Sequence, residues 1–151
     1  MASPTAPLRA EHADLVEPID ALRSTARMFL TMDFEERAAA IAAALAFLRD
    51  TLVPHARVEE AVLYPAWEEL IGRPGAAATM RHDHAAIVAR IERLERAAAD
   101  DVPEVQELLF ELHALISVHF DAEERIVLDA FDADPAAAVR LLDALRTAHA
   151  P

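Results

Sequence analysis

The chain has 151 residues, 54% of them hydrophobic, enough for one domain with a full apolar core. Its net charge of −13 argues against nucleic acid or an anionic membrane surface as partner. With no Cys, disulfides, thiolate nucleophiles and Cys-ligated clusters are excluded, so any metal must be held by imidazole and carboxylate.

Only two Gly and an abundance of Ala predict an all-α protein. Residues 1–7 carry no basic-then-apolar signal and read as a loose leader on a cytoplasmic protein. The first helix is predicted from about Leu8 to Leu30, with His12, Leu15, Ile19 and Leu22 on one stripe and a kink expected at Pro18. Asp33 and Glu36 form a capping box for a second helix ending near Gly72, where Pro54 and Pro65 predict a bend or break. The apolar run from Ala38 to Leu48 within it reads as too short to span a bilayer.

A third helix, about Ala76 to Ala99, places Met80, His84, Ile87, Ile91 and Leu94 on one face. Asp101 and Glu104 start a fourth that reaches about Phe131. Asp134 and Pro135 begin a short fifth helix with Val139, Leu142 and Leu145 on one side. The expected fold is an up-and-down four-helix bundle over residues 8–131, with a C-terminal helix over 134–148. That last helix would cover an end of the bundle or make the contact of a homodimer. Phe29, Phe47, Trp67, Phe110 and Phe120 read as core.

A ten-residue pattern occurs twice: His55, Glu59, Glu60 and Tyr64 are matched by His119, Glu123, Glu124 and Leu128. Four residues of helix turn through about 400°, so each His lies over its Glu on one face. His12 and His84 also begin matching apolar stripes, so the halves read as two helical hairpins about an approximate two-fold axis. A lone His on an apolar stripe is usually an ordinary core residue. Here His12, His55, Glu59, His84, His119 and Glu123 would all be buried together, at great cost unless a cation joins them. A di-metal site in the bundle core is therefore expected.

Around this set, Glu60 and Glu124 point about 100° aside, either supporting a neighbouring His or facing solvent as surface charge. Tyr64 stands five residues after Glu59 and reads as an additional ligand, a hydrogen-bond donor to the ligands, or simple packing. His82 reads as a surface residue, His113 as structural or exposed, and His149 as part of the tail. The Glu-x-x-His motif of ferritin-type bundles is absent, and six ligands overfill the three-ligand site of a zinc hydrolase.

The ordered pattern His, His-x-x-x-Glu, His, His-x-x-x-Glu resembles the hemerythrin-like (HHE cation-binding) domain over about residues 8–131. The resemblance implies two iron ions with a bridging oxo or hydroxo. His12, His55, His84 and His119 would be terminal ligands, and Glu59 and Glu123 would bridge. Oxygen-carrying members have a further His where this chain has Met80, and their last motif is His-x4-Asp where this one has His-x3-Glu. That difference implies an open or water-filled position on both ions and favours reaction with small oxidants (dioxygen, peroxide or nitric oxide), including their enzymatic consumption. Iron storage or sensing, reversible oxygen binding without turnover, and a metal-free interaction module are the competing readings.

Overall fold

A computed structural model describes residues 3–148, and all regular structure among the described residues is helical. Helix α1 spans Ala6–Met28, runs unbroken through Pro18, and ends in a 3-10 turn over Phe29–Thr31. Helix α2 is Phe34–Leu70 and α3 is Ala78–Arg96. Helix α4 comprises Val102–Ala122, a π turn Glu123–Leu128 and a last turn Asp129–Asp132, and α5 is Pro135–Ala148.

Local chemistry sets these boundaries. The Asp33 carboxylate accepts the Glu36 N–H while the Glu36 carboxylate accepts the Asp33 N–H, each at 2.9 Å, so the capping box closes at both ends. Asp101 accepts the Glu104 N–H at the start of α4, and Asp134 accepts the Ala137 N–H at the start of α5. Gly72 and Gly75 take left-handed φ values of 64° and 83° in the turn between α2 and α3, which a side chain would strain.

The prolines of α2 do not break it. Each removes an N–H donor, and ahead of each the hydrogen-bond ladder slips to i−5: Val53 N–H bonds Leu48 O, and Tyr64 N–H bonds Glu59 O. The result is one 37-residue helix with π turns over Leu48–Leu52 and Glu59–Leu63. By length and composition alone α2 is long and apolar enough to cross a membrane, because it does not stop at Leu48. In this fold its Ile41, Ala44, Leu48 and Leu52 face the protein core.

Two apolar clusters form the interior. One packs Leu15, Ile19 and Leu22 of α1 against Leu48 and Leu52 of α2, Ile87 and Ile91 of α3, and Leu112 and Ile116 of α4. The other joins Leu63, Tyr64 and Trp67 of α2, Met80, Val127, Leu128 and Phe131 to Leu141 and Leu145 of α5. Along every bundle helix the predicted His and Glu positions fall between these clusters. A polar layer is thus closed above and below by hydrocarbon.

Three expectations need correction. The inward face of α5 is Ala137, Ala138, Leu141 and Leu145, while Val139 is exposed, so α5 caps the bundle end through small residues that permit close approach. Phe110 lies on the exposed side of α4 rather than in the core. Third, the leader is not loose from Ser3 onward (Met1 and Ala2 lie outside the described residues). Ser3 Oγ donates to the Asp132 carboxylate at 2.7 Å, the Thr5 N–H donates at 2.9 Å, and Thr5 is fully buried.

Arg9 completes this tie by binding Asp132, Asp129 and Glu124. Partial burial opposes the charge on Asp132, but the donors from Ser3, Thr5 and Arg9 outweigh it and hold the carboxyl at about 2, below its ordinary 3.8. A carboxyl depressed in the fold stabilises it fully above about pH 4 and loses that effect as the pH falls towards 2. Asp132→Asn should therefore cost about 1–2 kcal/mol at pH 7, and roughly half that at pH 3. Urea melts at both pH values check this; equal losses at pH 7 and pH 3 would contradict it.

Candidate metal centre

Six side chains meet in the polar layer. Glu59, His84, His119 and Glu123 form one group with ligand atoms within 4.8 Å of each other, and His12, His55 and Glu59 form a second. Glu59 belongs to both. Its Oε1 lies 2.7 Å from His55 Nε2 and 3.4 Å from His12 Nε2, while its Oε2 lies 3.4 Å from His84 Nε2. Glu123 is disposed in the opposite sense: Oε1 is 3.4 Å from His119 Nε2 and Oε2 is 3.7 Å from His12 Nε2. Each carboxylate therefore offers one oxygen to each pair of imidazoles.

The imidazoles are oriented from behind. His12 Nδ1 meets Glu124 at 2.7 Å, His84 Nδ1 meets Glu60 at 2.9 Å, and His119 Nδ1 meets Asp83 at 3.3 Å. A carboxylate at Nδ1 fixes the proton there and turns the Nε2 lone pair inward, the arrangement that raises the basicity of a metal-binding His. Glu60 and Glu124 thus each back a His, and Glu60 does so from a solvent-exposed position. Phe120 of α4 stacks on His12 with ring centroids 4.5 Å apart.

Tyr64 reaches the layer because of the π turn. A turn closed over five residues brings position 64 back above Glu59, where an α-helical turn would carry it aside. Its hydroxyl lies 3.2 Å from both His84 Nε2 and His119 Nε2 and 2.5 Å from Glu123 Oε1. Met80 packs in the apolar cluster that includes Tyr64.

These residues fit a bound cation pair. Buried His55 Nε2, Glu59 Oε2 and Glu123 Oε2 have no hydrogen-bond partner; the 2.7 Å approach of His55 to Glu59 is not aligned as one. His84 Nε2 and His119 Nε2 lie 2.9 Å apart with their Nδ1 protons engaged elsewhere, so two lone pairs face each other. Lone pairs that close repel unless a cation or proton joins them. Neighbouring ligands at about 2.1 Å from one octahedral ion would stand about 3.0 Å apart, which matches.

Without metal the cluster places its charge on imidazole. Burial opposes protonation of His12 and His119, but the Glu59 and Glu123 carboxylates outweigh it and raise both. Burial likewise works against ionised Glu59, yet His12, His55 and His84 hold it well below the usual carboxylate range. Burial and then the charges of Glu123 and Glu59 push the Tyr64 phenol far above its ordinary value, keeping it a neutral donor to Glu123.

Asp83 and Arg9 were not among the residues singled out from sequence. Asp83 acts across to the next helix, and Arg9 reaches the centre only through Glu124; a carboxylate beside His84 was the one available hint. His82 is exposed on α3, His113 bonds Asp20 at 3.1 Å away from the centre, and His149 lies outside the described residues.

Fold and site together define a helical-bundle cation-binding protein, with a buried His and carboxylate centre between two apolar clusters. The chain belongs to the hemerythrin HHE cation-binding domain family, whose model matches residues 3–131 and again residues 76–150. No curated protein and no solved structure matches it.

Proposed function

We propose that the protein is a non-haem di-iron protein that binds and reacts with a small oxidant, dioxygen, peroxide or nitric oxide. The observation that carries this reading is the pair of carboxylates, Glu59 and Glu123, each facing both imidazole pairs. An iron pair bound there, with a bridging oxo or hydroxo, would supply one electron per ion and a coordination position for the ligand.

The protein's own contribution is asymmetric. His84, His119 and Tyr64 converge at one end, where the phenol would serve as a further oxygen donor to an ion held by these two imidazoles. The chain's one Tyr lies at that end, so His12 and His55 at the other have no phenol beside them. The two carboxylates offset the repulsion between neighbouring cations, and Glu60, Asp83 and Glu124 hold the imidazoles in place. A hard oxygen donor such as Tyr64 favours the oxidised metal, which supports redox reaction over reversible carriage or iron storage.

Tyr64→Phe tests this asymmetry. The oxidised, iron-loaded variant should retain its iron and lose the visible phenolate-to-iron absorption of the parent. An unchanged spectrum would place Tyr64 outside the coordination sphere.

A further inference from the structure

Two arginines stand at matching places in the two halves of the chain. Arg9 lies three residues before His12, and Arg81 three before His84. Arg9 binds Asp132 at 2.9 Å, and Asp132 also accepts the Thr5 N–H. Arg81 binds Glu68 at 2.8 Å, and Glu68 also accepts the Ala77 N–H. Asp132 and Glu68 each follow a carboxylate of the centre, Glu123 or Glu59, by nine residues. Each clasp therefore ties the start of α1 or α3 to the end of a helix that carries a His-x-x-x-Glu pair.

The clasps differ in what else the guanidinium holds. Arg9 also binds Asp129 at 2.8 Å and both the side chain and the backbone carbonyl of Glu124. Glu124 gives its Oε2 to Arg9 and its Oε1 to His12 Nδ1, at 2.7 Å from the latter. Among the described residues the Arg81 guanidinium bonds Glu68 alone and stands over the Tyr64 ring, 5.6 Å from its centroid. Glu124 is accordingly less exposed than Glu60, its counterpart behind His84, at 27% against 43%.

We infer that Arg9 is a positioning residue for the ion at the His12–His55 end, acting through Glu124 on the His12 imidazole. This rests on the two-ion reading of the centre. A carboxylate gripped at one oxygen by Arg9 cannot swing out to solvent, so its other oxygen stays on Nδ1 and Nε2 stays aimed at the centre. The planar fork of a guanidinium serves Glu124 and two aspartates together, which a single ammonium does not. Retention of one ion thus depends on a clasp at the first turn of α1.

Competition of the iron-loaded full chain against a chelator reads this without any turnover. Arg9→Gln should weaken one of the two ions about tenfold and leave the other at its wild-type affinity. Arg9→Lys should weaken it less. Because Arg9 acts through Glu124, the double variant Arg9→Gln/Glu124→Gln should bind no more weakly than Glu124→Gln alone. Arg81→Gln opens the equivalent clasp without touching Glu124, so any loss it causes should add in full to that of Glu124→Gln. Should Arg9→Gln fail to fold, the same cycle with Arg9→Lys decides. Unchanged affinities in Arg9→Gln, equal weakening of both ions, or losses for Arg9 and Glu124 that add would overturn the assignment. A wild type that holds fewer than two ions would instead overturn the two-ion reading, and the inference with it.

Discussion

Glu59→Ala should empty both metal positions, while His82→Ala leaves both filled. Glu59 is the one residue shared by the two ligand groups, and its oxygens face His12 and His55 on one side and His84 on the other. Its removal takes a donor from each ion and the negative charge that offsets their mutual repulsion. Loss of affinity should exceed the 10- to 100-fold typical for residues that only orient a ligand, about the loss expected for Glu60→Gln or Asp83→Asn. Glu123→Ala should behave like Glu59→Ala, since its two oxygens are disposed in the opposite sense. Metal content after gel filtration, with affinity by competition against a chelator, measures the series. If Glu59→Ala kept both ions, the carboxylate would not be shared.

Metal loading should raise the melting temperature, and acidification should close the gap from both sides. A metal present at about a thousand times its dissociation constant adds about 4 kcal/mol to the folded state. Imidazole must be neutral to bind it, so protons displace metal as the pH falls, and the loaded protein loses stability. The metal-free protein responds in the opposite sense. His12 and His119 are raised in the fold above their ordinary 6.5, so their stabilisation is complete below that value and is lost as pH rises through the folded values. Glu59 is depressed, so its contribution stays constant across this range and falls only in acid. Between pH 8 and pH 6 the loaded melt should fall and the metal-free melt should hold or rise. Coincident melts at pH 8, or a gap that widens on acidification, would contradict a metal held by these histidines.

The convergence of six side chains was legible because it depends on one regular quantity, the helical period. His55 over Glu59 and His119 over Glu123 follow from four-residue spacing, and the matching stripes after His12 and His84 point the remaining imidazoles inward. What could not be read depends on departures from that period or on contacts between helices. Tyr64 faces the centre only because the ladder slips to i−5 ahead of Pro65, a response of α2 that its proline content did not distinguish from a break. Asp83 finds His119 on the next helix, and Arg9 finds Glu124 more than a hundred positions away. The tie of Ser3 and Thr5 to Asp132 is likewise tertiary. On α5 the buried face is Ala137, Ala138, Leu141 and Leu145, so of Val139, Leu142 and Leu145 only Leu145 is buried; the alanines gave no signal because small residues are as common on exposed helix faces as on buried ones.

The central claim is a pair of ions in one centre, and metal content is its most direct measure. The chain should be freed of metal, reconstituted anaerobically with ferrous iron, oxidised in air, desalted, and its iron and protein determined together with the absorption spectrum. Two carboxylates shared between two imidazole pairs predict about two iron ions per chain and the near-ultraviolet absorption of a bridged ferric pair. A reproducible content of one or none would contradict the account.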